Sequence, residues 1–336
     1  MDRRSDRRCD CAEPMNSVQR NLFVLLILST GSVVQGGHAT DATPLFADMR
    51  FRHGFLLSDP DSSRGRSVEA VLHLGDANNV PAWRLCQWAT KYSLATVPCV
   101  KGDAGDLSYE NEGKRVVVGG TGSQNRDLIL DICGKAEYGA RARRQGESWP
   151  HLLVEQDAPV LYPLDELEAI KLAITLRLLH CTNRTPPAQY DPGLHAAQFQ
   201  MFFIVKNMHP ASQDRDNYFW FGVPFFDSRY DIPPAYMAKD AGKDDATGRF
   251  IYTVDGKALG VAPLKEGRWI AVQADLLPLI KRGLTEAVAR GYLRDPDPHH
   301  YAVANMNLGW EIPGTFDTGV QIRDLDISAI PRSPLY

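Results

Sequence analysis

Apolar and polar residues alternate at every second position along most of the chain after residue 67. The clearest segments are VEAVLHL, DLILDIC, AIKLAITLRLLH, AAQFQMFFIVKN, YFWFGVPFF, YAVANMNLGWEI and GVQIRDLDI. Clusters of Gly, Pro, Asp and Asn separate them, as in CTNRTPPAQYDPG. Such alternation, interrupted by turn signals, is typical of β-strands with one buried face. The pattern therefore predicts an all-β fold, either a sandwich or a barrel.

One segment has helical rather than strand periodicity. In LLPLIKRGLTEAVARG the apolar residues Leu277, Ile280, Leu284 and Val288 recur every three or four positions. Asp275 is a suitable N-cap ahead of this run, and a glycine follows it. We therefore expect one amphipathic helix near 276–290, packed on the side or end of the strands.

The long predicted strands carry polar and aromatic residues on the face opposite the core. In YFWFGVPFF, Phe219, Phe221 and Phe225 share the core face, whereas Tyr218 and Trp220 lie on the other. Sugars stack their C–H faces on such rings and pair their hydroxyls with amides and charged groups. Strand preference alone could also produce polar outer faces. The joint pattern predicts a glycan-binding surface made of Arg177, Gln198, Gln200, Tyr218, Trp220, Asp227, Arg229, Asn305 and Asn307.

The succession of strands from about 115 to 330, ending in YAVANMNLGWEIPG and GVQIRDLDIS, resembles that of known jelly-roll β-sandwiches. These include carbohydrate-binding modules, of concanavalin A-like or galactose-binding-like type, and the concanavalin A-like glycosidases and polysaccharide lyases. The resemblance implies a jelly-roll β-sandwich, as one domain over residues 40–336 with an irregular lead-in over 40–106. The ExDxxE run of those glycosidases and the RxELR-type run of the lyases are both absent. No catalytic residue of those families is therefore carried over.

Two glutamates are candidates for glycoside hydrolysis, which uses two carboxyl groups about 5–10 Å apart. Glu155 lies in HLLVEQD and Glu311 in GWEIPG, each inside or at the end of an apolar strand where a carboxylate is costly to bury without a partner or a role. A structural ion pair for Glu155, or a backbone contact for Glu311, would explain the same positions. We expect Glu155 and Glu311 to be the catalytic pair.

Three other functions fit the same pattern. A polysaccharide lyase would need a base and a group that neutralises a uronate, for which Arg177, His180, Gln198 and Asn207 are available. A glycan-binding or adhesion protein would use the same surface without paired carboxylates. A structural envelope protein would have no ligand.

The first 39 residues have the layout of an export signal. Arg20 precedes the apolar run LFVLLIL, and small residues near Ala39 suit cleavage. Met15 would be the true start, and we expect a secreted or periplasmic protein. With a net charge of −4 and no basic block, nucleic acid and anionic membrane are not expected as partners. The oligomeric state stays open.

Cysteine content and acidic loops bear on cross-links and metals. Cys86, Cys99, Cys133 and Cys181 permit two disulfides in three pairings, one of which joins Cys86 to Cys99. We expect no cofactor and no metal at the site. The turn KDAGKDDATG, with Asp240, Asp244 and Asp245, could hold a structural calcium ion, although a solvated turn fits the spacing better.

Overall fold

The computed structural model describes residues 42–74, 78, 80–139, 141–242 and 246–333. The predicted export signal, residues 1–39, and the predicted start at Met15 lie outside the described residues. The strands are β1 (Thr43–Pro44), β2 (Phe55–Ser58), β3 (Val68–Leu72), β4 (Trp83–Cys86), β5 (Val100–Lys101), β6 (Leu107–Glu110), β7 (Lys114–Gly119), β8 (Asp127–Cys133), β9 (His151–Asp157), β10 (Leu167–Asn183), β11 (Gln198–Asn207), β12 (Tyr218–Asp227), β13 (Tyr236–Lys239), β14 (Phe250–Thr253), β15 (Trp269–Asp275), β16 (Tyr301–Glu311) and β17 (Phe316–Pro331). The helices are α1 (Gly134–Tyr138) and α2 (Leu277–Ala289).

The strands form two sheets packed face to face. The back sheet has the order β15-β10-β17-β8-β7-β6-β5, with β1 beside β17. The front sheet has the order β13-β14-β12-β11-β16-β9-β4-β2-β3. Most pairs are antiparallel, and β2/β4 and β12/β14 are parallel. The predicted jelly-roll β-sandwich is confirmed. Residues 42–106 contribute β1 to β5 to the two sheets.

The predicted apolar faces form one core between the sheets. On β12 the side chains of Phe219, Phe221, Val223 and Phe225 are at most 1% exposed. The inward face of β10 is also buried, from Ile170 to Leu178. The same alternation that buries these residues turns the intervening side chains outward.

A bulge in β16 changes the side on which one aromatic residue lies. Simple alternation places Tyr301 with the polar face, but the register with β11 shifts between Val303 and Asn305. Tyr301 is consequently buried, and its hydroxyl donates to the Asp295 carbonyl at 2.9 Å. A single extra residue in the strand therefore turns Tyr301 into the core, although the two-residue period places it on the solvent face.

The predicted helix is α2, which packs on β10, β12 and β14 through its apolar stripe. The helix begins at Leu277, one residue later than an N-cap at Asp275 would give. Asp275 Oδ1 still accepts a hydrogen bond from the Leu277 N–H at 3.1 Å. Gly291 follows the helix with φ of 75°, a conformation that glycine adopts without strain. None of the helices in the described part of the chain combines the length and apolar run needed to span a membrane.

The predicted disulfides are not present, since all four cysteines between residues 42 and 333 are free. Cys133 is paired with Asp317 and Cys181 with Thr318, so β17 lies between them. Two strand spacings put their Cα atoms about 10 Å apart, beyond the reach of a disulfide. Cys86 is buried with its Sγ 3.8 Å from Glu155, whereas Cys99 is exposed.

Candidate functional site

A long cleft crosses the outer face of the front sheet. Its volume is about 1390 Å³, larger than the usual site for one small molecule. Strands β9, β11, β12, β14 and β16 form its floor, and loops around residues 62–66, 143–149, 193–196 and 229–242 form its walls. The cleft contains ten of the eleven predicted site residues: Glu155, Gln198, Gln200, Tyr218, Trp220, Asp227, Arg229, Asn305, Asn307 and Glu311.

Aromatic rings line one end of the cleft. Tyr218 and Trp220 meet edge to face with ring centroids 5.6 Å apart, and Trp220 meets Phe202 in the same way at 6.1 Å. The indole N–H of Trp220 donates to Thr247 Oγ1 at 3.1 Å, and Arg249 lies over the Tyr218 ring at 5.0 Å. These contacts hold the rings in place, which suits stacking on a sugar ring.

Amide side chains on the cleft floor are fixed by carboxylates. Gln198 Nε2 donates to Asp227 Oδ2 at 2.9 Å, and Asn305 Nδ2 donates to Asp157 Oδ1 at 2.9 Å. Asn307, beside Glu155 in the sheet register, is 8% exposed. A fixed amide offers both a donor and an acceptor, as recognition of hydroxyl groups requires.

Asp227 and Arg229 form a two-point ion pair beside Gln198, at the end of β12 opposite to Tyr218 and Trp220. Arg229 Nε lies 2.8 Å from Asp227 Oδ1, and its terminal nitrogen lies 2.6 Å from Oδ2. The hydrogen bonds that Arg229 donates to Asp227 hold the pKa of Arg229 above its usual value. Because both oxygens of Asp227 accept from Arg229, this carboxylate serves as a structural anchor for Gln198 and Arg229.

Glu311 accepts hydrogen bonds from two side chains and lies close to a histidine. Its Oε2 accepts from the indole N–H of Trp149 at 3.0 Å, and its Oε1 accepts from Gln200 Nε2 at 3.0 Å. His151 Nε2 lies 3.5 Å from Oε2, and the His151 ring stacks on Trp149. Hydrogen bonds of this kind stabilise the charged form of a carboxylate.

Glu155 has a different environment. Glu155 is 7% exposed. Burial raises its pKa, and the positive charges of Arg66 and Arg84 act in the opposite direction. The terminal nitrogen of Arg66 lies 2.9 Å from Oε1, and Arg84 Nε lies 3.5 Å from the same oxygen. The Cys86 thiol contacts its second oxygen, and burial and the Glu155 charge raise the pKa of that thiol.

The sheet register sets the separation of the two glutamates. Glu155 is paired with Asn307 on β16, which puts it four residues and one strand from Glu311. Their Cα atoms are consequently about 14 Å apart.

One cross-strand row of residues lies between the two glutamates. The cross-strand row between them contains Gln200, Gly309, Leu153 and Cys86. Glu311 contacts Gln200 on β11 and Glu155 contacts Cys86 on β4, so the two carboxylates contact opposite ends of this row.

Arg177 does not lie in the cleft. It is on β10 of the back sheet, paired with Trp269 and Gln321, and its guanidinium lies 5.6 Å from the Trp269 ring centroid. Both sheets have an apolar inner face and a polar outer face, so alternation alone could not tell to which sheet its strand belongs.

The residues named for a lyase are dispersed. His180 is on the back sheet, where a hydrogen bond from its Nε2 to Asp131 raises its pKa. Asn207 is fully buried and donates to Ser212 and Asp295. Of that set, the cleft contains Gln198 alone.

The described residues include no group of three or more His, Cys, Asp or Glu side chains arranged to hold a metal ion. In the turn considered for calcium, Asp240 Oδ2 accepts from the N–H and hydroxyl of Thr247, as a turn carboxylate does. Asp244 and Asp245 lie outside the described residues.

Several cleft residues were absent from the sequence prediction. Trp149 and Trp88 lie in irregular segments, and Arg66 comes from a loop ahead of β3. His151, at the start of β9, lies opposite Glu311 in the sheet register. A signal was present in SWPH, where an aromatic ring and an imidazole precede the strand of Glu155, but only strand pairing brings them to Glu311.

Comparisons with known proteins show no matching family model and no matching curated protein. The chain is similar to an endoglucanase from Rhodothermus marinus, with 12% identity and a TM-score of 0.36 over 70% of this chain and 97% of that one. It is similar to a native family 12 xyloglucanase from Bacillus licheniformis, with 6% identity and a TM-score of 0.37 over 69% and 97%.

A third similar structure is the xyloglucanase domain of a type three effector from Sinorhizobium fredii in complex with cellobiose. It has 9% identity and a TM-score of 0.36 over 70% of this chain and 97% of that one. With TM-scores and identities this low, the three likenesses are to the β-sandwich alone and assign no activity to this chain.

Proposed function

We propose that the protein binds a glycan chain in the front-sheet cleft and hydrolyses it, with Glu155 as general acid and Glu311 as general base. One observation carries the proposal: the cleft holds two carboxyl groups in opposed environments. Burial raises the pKa of Glu155, whereas Glu311 accepts hydrogen bonds from Trp149 and Gln200. Acid and base roles in hydrolases are commonly assigned by such a difference.

Binding would use the rest of the floor. Trp220, Tyr218 and Phe202 provide ring faces, and Asn305 and Asn307 provide hydrogen bonds. The cleft volume accommodates several sugar rings. A polysaccharide ligand is consistent with the proposed export of the chain.

The reaction follows from the separation of the carboxyl groups. Glu155 donates its proton to the glycosidic oxygen as the bond from that oxygen to the anomeric carbon breaks. Glu311 accepts a proton from the water whose oxygen forms the new bond. Inverting glycosidases have carboxyl groups about 6.5–9.5 Å apart, whereas retaining ones need about 5–5.5 Å. Because the Cα atoms of the two glutamates are about 14 Å apart, we expect the wider of these two carboxyl separations and therefore inversion.

The test is a panel of plant and bacterial polysaccharides assayed for released reducing ends and for unsaturated uronates. We expect reducing ends from at least one, with kcat falling about 100-fold or more in Glu311→Gln and Glu155→Gln while binding persists. Glu168→Gln, an exposed glutamate on β10, is the matched control and should retain full activity. Unchanged hydrolysis in both cleft variants would contradict the assignment, and unsaturated products would support a lyase.

The pH dependence provides a second check. Because the pKa of Glu155 is raised, the acid should stay protonated to higher pH than an ordinary glutamate. Activity should then fall as the pH rises through that raised pKa, since ionised Glu155 cannot protonate the leaving oxygen. The residual activity of the Glu155→Gln variant should not show this fall as the pH rises.

A second candidate function is glycan binding without cleavage. It is favoured by the amide of Gln198 directly opposite Glu311, and by the two arginines that pair with Glu155. Glycan binding without release of reducing ends from any panel member would establish this function. Absence of binding to every glycan would contradict both candidates.

A further inference from the structure

Gln198 has a position in the cleft with direct consequences for the chemistry. In the sheet register it is the cross-strand partner of Glu311 on one side and of Asp227 on the other. Directly opposed side chains have Cβ atoms about 5 Å apart. That spacing matches the carboxyl separation of about 5–5.5 Å in retaining glycosidases. The other cross-strand partner of Glu311 is His151, so neither neighbour is a carboxylate.

The orientation of the Gln198 amide is set by Asp227. Its Nε2 donates to Asp227 Oδ2 at 2.9 Å, and Asp227 is itself fixed by Arg229. Because the amide nitrogen donates to Asp227 on β12, the carbonyl oxygen is the atom of the Gln198 amide that can accept a hydrogen bond in the cleft. A water between this oxygen and Glu311 can donate one hydrogen to each acceptor. Its lone pair is then free to attack an anomeric carbon in the cleft.

We infer that Gln198 determines the stereochemical course of the reaction: its amide positions the attacking water and withholds the carboxylate that a retaining mechanism needs. The inference rests on the proposed glycan-active function of the cleft. Gln198 is a positioning residue here, oriented by Asp227 and acting together with Glu311.

Replacing this amide by a carboxylate should change the mechanism. In Gln198→Glu the new carboxylate attacks the anomeric carbon, the glycosidic C–O bond breaks, and the leaving oxygen takes a proton from Glu311. Water then cleaves the glycosyl ester, returning a proton to Glu311. Two carboxyl groups this close share one proton readily, which supplies the acid form for the first step.

The new carboxylate would also face Asp227, where the amide now donates. The double variant Gln198→Glu/Asp227→Asn removes that repulsion, because an amide at 227 can donate to the carboxylate at 198. Gln198→Asn is the matched control, since it keeps an amide and adds no carboxylate. Circular dichroism and thermal unfolding establish that each variant folds.

The probes are cellohexaose, xylohexaose and mannohexaose for binding and product anomer, and 2,4-dinitrophenyl 2-deoxy-2-fluoroglycosides of the corresponding disaccharides for trapping. We expect the double variant to gain the mass of one glycosyl group on the peptide containing position 198. Its product should have the retained anomeric configuration in proton NMR. The wild type and Gln198→Asn should form no adduct.

The outcomes separate this inference from the proposed function. If the wild type binds a glycan but cleaves none, the proposed hydrolysis and the water-positioning role of Gln198 both fail, and an adduct on the double variant would then support only the placement of position 198 beside the anomeric carbon. A double variant that binds as the wild type does but forms no adduct and no retained product would overturn the inference, as would retained products from the wild type.

Gln198→Leu tests the water-positioning role without a new charge. It should lower kcat about 100-fold with KM nearly unchanged, because it removes the carbonyl oxygen but keeps the volume. Loss of binding with unchanged kcat would contradict this role and leave Gln198 as a substrate contact. This measurement keeps the inference testable if both glutamate variants fail to fold.

Discussion

Trp220 and Trp269 are half-buried tryptophans on outer faces of opposite sheets, and their surroundings assign them different roles. Trp220 lies in the cleft with Tyr218 and Phe202 beside it. Trp269 lies on the back sheet between Arg177 and Arg323, whose guanidinium groups are 5.6 and 4.3 Å from its ring centroid. Cations cover the second indole, so Trp220 is the one placed for stacking on a sugar.

Trp220→Ala should weaken glycan binding about tenfold, a loss of about 1.4 kcal/mol, because it removes one stacking face. Isothermal titration calorimetry with the best-bound oligosaccharide measures the change. Trp269→Ala is the matched control and should bind as the wild type does. Equal losses in both variants would indicate a general effect on folding, and no loss in Trp220→Ala would contradict the stacking role.

The residue types on the alternating strands predicted which residues line the cleft, but not which of them contact each other. Ten of the eleven predicted residues lie in the cleft, because the two-residue period of a strand determines toward which side of the sheet each side chain points. The contacts of Glu311 with Trp149 and His151, and of Glu155 with Arg66, join residues from different strands and loops. No local pattern specifies such pairs.

At the scale of elements, periodicity was most informative where segments were long. The apolar faces of β10, β11 and β12 are buried as the sequence predicts, and α2 lies within the expected range. The bulge in β16 and the short helix α1 were not predicted. Both depend on how a segment meets its neighbours, which weak local preferences do not determine.

Helix α2 carries a glycine where tertiary packing overrides helix propensity. A Cβ on Gly283 would lie 2.8 Å from Phe219 Cε2 and 2.9 Å from Tyr252 Cδ1. Gly283→Ala should therefore lower the free energy of unfolding by about 1–3 kcal/mol, although alanine favours helix. Urea denaturation measures this.

The control for this prediction is Gly122→Ala. A Cβ at Gly122 would meet no atom within 4 Å, so the free energy of unfolding of the Gly122→Ala variant should differ little from that of the wild type. A stabilised Gly283→Ala variant would show that α2 has room to move away from β12 and β14.

At the scale of the whole molecule, the sandwich is held together by packing, without cross-links among the described cysteines. The thermal midpoint of the chain from residue 40 onward should consequently be the same with and without dithiothreitol. Thiol titration of the unfolded chain should detect Cys86, Cys99, Cys133 and Cys181 as free. A mass lower by two hydrogens, together with a midpoint that falls on reduction, would contradict this.

The sequence by itself determined the class of fold, the inner face of each long strand and the chemical character of the outer faces. These are local properties, since a two-residue period relates neighbours along one chain segment. Only the tertiary structure decided to which sheet each strand belongs, and therefore that Arg177 lies apart from the cleft while Gln198 lies opposite Glu311. Strand order and register arise from contacts between distant segments, and those contacts place the two glutamates in one cleft, on neighbouring strands and four residues apart in register.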